Sequence, residues 1–139
     1  MYPWPIGEES SIEIEENGPV TISFAESLSP VGSDIVVSNV QDVTIEFGAG
    51  YFIQIQIEGR WYDINYQDTE ENRGKNFATM SIAYILKGKK EKELFLDWSS
   101  EYGELPSGNY RFVKEFYLCS ADDYTLGRYF FAACPFIIE

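Results

Sequence analysis

Paired carboxylates are the one catalytic device this chain carries in quantity. Asp68 stands with Glu70 and Glu71, Asp97 with Glu101 and Glu104, and Asp122 beside Asp123. Two such groups opposed across a cleft about 5 to 9.5 Å apart, one of them with a raised pKa, would hydrolyse a glycoside. All three clusters fall in or beside turn-rich stretches, where acids are solvated or bond to local amides, and nothing marks a pocket around them. No catalytic residue is therefore expected, and the chain reads as a non-enzyme. The same acids lack the D-x-[DN]-x-[DN]-G spacing of a calcium loop, so no metal and no cofactor are expected. Histidine is absent from the sequence. That removes imidazole acid/base chemistry, His-activated nucleophiles and metal sites that need an imidazole. No Ser-x-x-Lys pattern supports a Ser-Lys dyad.

Cys119 and Cys134 are too few for a zinc ribbon and do not form a CxxC pair. They lie in the last two predicted strands, where a cross-strand bridge or two buried thiols would fit, the thiols being the preferred reading. Lys87, Lys89, Lys90 and Lys92 make a small basic turn that Glu91 and Glu93 partly cancel, which suits a protected strand end better than a polyanion site. Aromatic residues form 17% of the chain, more than a binding site needs, so most must be core. Phe52, Trp61, Tyr117 and Tyr129 fall on faces or in loops where some should reach water. They are the candidate ligand contacts, able to stack on sugars or to anchor a protein interface.

The 139 residues hold 23 acids against 10 bases, a formal net charge of −13. Residues 1–70 contribute thirteen acids and a single base, Arg60, so nearly all of the excess lies there. Such a surface repels phosphate backbones, so no nucleic-acid partner is expected; solubility is the preferred reading of the excess, and a cationic ligand or partner protein the other. A chain of this length buries roughly 65 to 70% of its unfolded surface, so it needs no metal or disulfide framework to hold a core. No apolar run approaches the ~18 residues of a membrane span. Residues 1–7 carry neither a basic n-region nor an apolar h-region. Either the protein is cytoplasmic as it stands, or an export signal has been removed before Met1.

Alternation with a period of two must position these residues. Ile12 and Ile14 alternate with Glu13 and Glu15, and Val20, Ile22 and Phe24 with Thr21 and Ser23. Val43–Phe47 and Tyr51–Ile57 read as strands, with Gly48-Ala-Gly50 between them as a bend or bulge. Tyr51, Ile53, Ile55 and Ile57 share one face and Gln54 and Gln56 the other. A hairpin follows at Glu58-Gly59. A two-residue turn sets Trp61 beside Gln56 on the outer face; a three-residue loop would turn Trp61 into the core, together with Asp63. Glu58 disfavours the positive φ of the first, and burial of Asp63 disfavours the second, so the sequence leaves both open. Thr79–Leu86 and Leu94–Trp98 read as a further hairpin, Ser99–Leu105 as one helical turn, and Tyr110–Leu118 and Tyr129–Ile138 as the closing strands. Pro135 lacks a ladder donor, so the last strand is an edge or is interrupted there. The whole is expected to be all-β, a single domain over 1–139.

Tyr102-Gly-Glu-Leu-Pro-Ser-Gly-Asn-Tyr-Arg-Phe-Val-Lys114, preceded by Leu96-Asp-Trp-Ser99 and by Gly59-Arg-Trp-Tyr62, resembles a family of bacterial immunoglobulin-like domains. Ala133-Cys-Pro-Phe-Ile-Ile138 resembles that family's last strand. The resemblance covers residues 18 to 139, leaving 1–17 as an N-terminal segment and first strand. It implies an immunoglobulin-like antiparallel β-sandwich of about 7–9 strands. It also implies occurrence in secreted proteins and lipoproteins of Gram-positive bacteria, and no enzymatic activity. Leu105, Pro106, Gly108 and Tyr110 would form its structural corner, with Leu105-Pro106 leading the chain out of one sheet, Gly108 permitting a close approach and the Tyr110 hydroxyl bonding back to the backbone. The stretch Ser27–Asp42 is longer than the family's connection and is expected to add an edge strand. Tyr2-Pro-Trp-Pro5 lies outside the pattern and should dock on the domain's own surface.

Two functions follow. The first is a noncatalytic module that makes protein contacts at or outside the cell envelope, which predicts an exposed apolar patch or sheet edge ringed by acids. The alternative is a carbohydrate-binding sandwich, which predicts coplanar exposed aromatics that include Trp61.

Overall fold

The computed structural model describes residues 6–15, 18–26, 28–48, 50–64, 82–99, 101–119 and 127–139. These form ten strands: β1 (Ile6–Glu9), β2 (Val20–Phe24), β3 (Gly32–Asn39), β4 (Thr44–Gly48), β5 (Phe52–Ile57), β6 (Arg60–Ile64), β7 (Ile82–Leu86), β8 (Glu91–Asp97), β9 (Gly108–Cys119) and β10 (Arg128–Ile138). They make two antiparallel sheets. The larger runs β1-β6-β5-β9-β4-β7 with β10 on β9, and the smaller runs β2-β3-β8. The fold is an all-β immunoglobulin-like sandwich, with β1 added ahead of the part the family resemblance covers.

The inner faces of both sheets bury the alternating apolar residues. Ile53, Ile55, Tyr110, Phe112 and Phe116 come from the larger sheet, Ile35 and Val37 from the smaller, all with no accessible surface. Phe24 of β2 meets Phe112 edge-on at 6.2 Å and Phe136 at 4.8 Å, so the two sheets interlock through aromatic contacts.

One long line of backbone, β4 followed by β5, lies along a single side of β9. Glu46 pairs with Tyr117 and Phe52 with Val113. Six residues thus advance on one strand against four on the other, so two extra residues bulge out where Gly48-Ala-Gly50 was expected to bend. Lys114 fills that bulge from inside the sandwich. Its Nζ donates to Gly48 O at 2.6 Å and Gly50 O at 2.8 Å and lies 5.4 Å from the Phe47 ring centroid.

The hairpin at Glu58-Gly59 is a two-residue turn, with Gln56 opposite Trp61 and Ile57 opposite Arg60. Glu58 and Gly59 have φ of 52° and 81°. A carboxylate at positive φ costs about 1–2 kcal/mol, less than a buried, unpaired Asp63 would. Trp61 therefore faces outward.

Two expectations are corrected. The stretch 27–42 contributes β3, which is the central strand of the smaller sheet rather than an edge. And β7 and β8 are not a hairpin, because β7 pairs with β4 in one sheet and β8 with β3 in the other. The cause is a double corner. Buried Asn39 donates through Nδ2 to Val43 O at 2.7 Å and to Leu86 O at 3.1 Å, holding the β3–β4 and β7–β8 crossovers together.

Strand β10 is an edge and continues unbroken through Pro135. Phe131 accepts from Glu15 N on the side away from β9, so residues of the same parity, Pro135 among them, turn their backbone outward. The missing proline donor costs the ladder nothing there. At Ser99–Leu105, Tyr102 N donates to Trp98 O and Gly103 N to Ser99 O, one helical turn that does not extend into a helix.

Candidate functional site

Period-two alternation puts all four candidate contacts, Phe52, Trp61, Tyr117 and Tyr129, on the outer face of the larger sheet, opposite to Ile53, Tyr110 and Phe112. The face does not bring them together. Gln56, the partner of Trp61, lies beside Asn109, whereas Tyr117 is eight residues further along β9, so roughly 26 Å separates the two ends. Tyr117 and Tyr129 do meet, with ring centroids 4.9 Å apart and planes at 55°. Tyr129 is 57% exposed. Phe52 is buried, edge-on to Phe131 at 6.2 Å.

The N-terminal segment reaches both sides of the larger sheet. β1 pairs with β6 at one side, and Ile14 forms a parallel bridge with Phe131 of β10 at the other. Ser10 N donates to Trp61 O at 2.8 Å, and Arg128 grips Glu15 through two bonds of 2.9 Å.

Beneath that segment lies a polar hub. Gln54, fully buried, donates through Nε2 to Asp63 Oδ1 at 2.8 Å and Ser10 Oγ at 2.9 Å, and its Oε1 accepts from Arg111 Nε at 2.6 Å. The Arg111 guanidinium stacks on Trp61, 4.6 Å from the ring centroid. Partial burial pulls the Arg111 pKa below its ordinary value, against the pull of Asp63. Grooves of about 370 and 390 Å³ flank Trp61, the second floored by Gln56, Asn109, Pro135 and Ile137.

The corner residues are together. Leu105 is buried and its N–H donates to Pro30 O at 2.9 Å, while the Tyr110 hydroxyl donates to Pro106 O at 2.7 Å. A Cβ on Gly108 would stand 3.4 Å from the Tyr110 ring, an ordinary contact, so close approach is not what selects glycine there.

Of the carboxylate clusters, Asp68, Glu70, Glu71, Asp122 and Asp123 lie outside the described residues. Asp97 accepts from Ser99 Oγ at 2.6 Å and Ser99 N at 3.0 Å, bonds that hold its pKa below the usual carboxylate range. A general acid needs the opposite shift. Cys119 and Cys134 are free thiols. Cys119 ends β9 opposite Thr44 of β4, whereas Cys134 of β10 pairs with Phe112, seven residues back along β9. Burial raises both thiol pKa values, with Glu46 adding to the effect at Cys119, so neither has the depressed pKa of a reactive thiolate. Among the described residues no cluster of three or more Cys, Asp or Glu is placed to hold a metal ion, and no helix is long and apolar enough to cross a membrane.

A bacterial Ig-like domain family model matches residues 20–130. The chain belongs to this family. The match begins at β2 and ends inside β10, so it takes in both sheets and the corner but not the segment that roofs the larger sheet. No curated protein and no solved structure matches the chain.

Sequence reasoning missed Phe95, the most exposed large apolar side chain among the described residues, at 75%. The signal was present: Leu94 and Leu96 point to the core, so the residue between them must point out.

Proposed function

We propose that this Ig-like domain is a noncatalytic contact module of the bacterial cell envelope or exterior, one unit over the whole chain, that meets a protein partner. The observation that carries the reading is where apolar surface is left open. Ile85 on β7, Phe95 on β8, and Tyr129 and Ile137 on β10 are all more than half exposed, and each stands on a strand that ends a sheet. Isolated exposed residues are common, but all four of these large ones stand on terminal strands, which suits docking at sheet edges. The Leu105–Tyr110 corner serves the scaffold in this reading, and the acid surface favours a cationic partner.

The carbohydrate reading has one observation in its favour, the two grooves that Trp61 lines, one of them with Gln56 and Asn109 as polar lining. Against it, Arg111 occupies a face of the indole, and the tyrosines are far away and tilted.

A photo-crosslinking amino acid introduced in turn at positions 85, 95, 129 and 137 tests the choice against surface proteins of the source bacterium. Discrete protein adducts from these positions, and none from position 21 on a solvent face, support the module. No adduct at any of them, together with a saturable tryptophan-fluorescence response to a glycan that Trp61→Phe abolishes, would replace it with the sugar-binding reading.

A further inference from the structure

Strand β8 has a backbone edge whose direction can be read from its pairing. At the two ends of the β3–β8 ladder, Trp98 N donates to Val31 O and Asn39 N to Lys90 O, each at 2.9 Å. Antiparallel pairs alternate between bonded and non-bonded positions. Leu94, Leu96 and Lys92 therefore aim their N–H and C=O groups at β3, and Glu91, Glu93, Phe95 and Asp97 aim theirs away. Among the described residues β8 pairs with β3 alone, so those outward groups have no strand partner.

The same four residues share the solvent face of the smaller sheet. Phe95 stands there with Glu93 and Asp97 on its own strand and Asp34 directly across on β3. No salt bridge among the described residues involves Glu91, Glu93 or Asp97. Acids alone are explained by edge protection, because two copies paired antiparallel about Phe95 would set Glu93 against Asp97. An open phenylalanine adds nothing to that repulsion. An aromatic side chain, three carboxylates and an unpaired backbone edge together describe a receiving surface, and its charge excludes a second copy as the occupant.

We propose that β8 takes up an extended basic segment of the partner protein as an added strand. Lysine or arginine of that segment lies opposite Glu91, Glu93 and Asp97, an apolar residue covers Phe95, and aliphatic residues on its other face continue the row of Leu94 and Leu96. Main-chain bonds supply affinity and the alternating side chains supply selectivity. This rests on the reading of the chain as a protein-contact module, and it names the surface and the partner's chemistry.

The test uses the full chain and a short fluorescent peptide that alternates lysine with valine around one central phenylalanine. Anisotropy should show saturable binding that weakens about tenfold or more in Phe95→Ser and in Glu93→Lys, and that a glutamate-for-lysine peptide does not show. Methylating alternate backbone nitrogens of the peptide should abolish it. Unchanged binding in both variants, or equal binding of the acidic peptide, overturns the proposal. So does sedimentation showing a wild-type dimer that Phe95→Ser dissolves. NMR shift mapping separates this failure from the broader one: perturbation on β7 or β10 instead of β8 overturns the strand assignment and leaves the contact module standing. Absence of peptide binding alongside crosslinked adducts at 85, 129 or 137 does the same.

Discussion

On the outer face of the larger sheet Gln54 is fully buried, and Arg111, Asp63 and Ser10 of the N-terminal segment all bond to it. On the outer face of the smaller sheet Phe95 is three-quarters exposed among carboxylates. Both faces belong to strands of equal regularity, so secondary structure does not distinguish them. Cover does. Where the chain crosses its own sheet, polar groups must find partners inside, since a buried unpaired one costs about 1–3 kcal/mol. Where the described chain supplies no cover, water satisfies the carboxylates, and the apolar residue between them is left for another molecule.

The largest effect expected tests how abruptly this difference sets in. Trp98 directly follows β8, has no accessible surface, donates Nε1 to Pro30 O at 2.9 Å and packs 5.8 Å from the Phe136 ring. Trp98→Ala should lose about 3–5 kcal/mol in urea denaturation, and Phe95→Ser, three residues away, no more than about 0.5 kcal/mol. Comparable losses would mean that Phe95 is part of the core. Lys114 comes next. Burial pushes its pKa down to about 8 from 10.5. The unfolded chain then holds a proton that the folded one releases, so stability should rise from pH 8 toward pH 10.5, by about 3 kcal/mol in total. Lys114→Met exchanges a buried ammonium for two unpaired carbonyls, and the wild-type-minus-variant difference should carry that whole slope; parallel pH curves would refute it. Gln54→Leu should cost about 2 kcal/mol in thermal unfolding, because it strands Asp63, Ser10 and Arg111 together. A loss as small as that of Phe95→Ser would show that the roofed face is as wet as the open one.

Much of this was legible in the residues. The alternation of Tyr51, Ile53 and Ile55 placed a face correctly, as did Gly48-Ala-Gly50 for the bulge, because both effects are local. The Glu58 turn was not decidable, since two penalties of similar kind opposed each other and their sizes depend on whether Asp63 finds water. The β7–β8 crossover was out of reach: Lys87–Lys92 reads as the same turn whether its strands pair or part, and the deciding amide, Asn39, bonds Leu86 from 47 positions away. The four aromatics were placed only on faces or in loops, with no common face assigned; which of them meets water depends on packing between strands, such as Phe52 against Phe131, and no pattern within β5 could announce that.

Asn39 has a consequence for how the molecule opens. Its amide nitrogen holds the carbonyls of Val43 and Leu86, its Oδ1 accepts from Gln41 N, and its own N–H bonds Lys90 O. The two places where the chain changes sheets therefore share one fastening, and neither can come loose without exposing the buried groups of the other. In native-state hydrogen exchange the amides of Asn39, Gln41 and Lys89 should move as one cooperative unit with a common opening free energy. The sandwich would then part from that end as a single latch, rather than strand by strand.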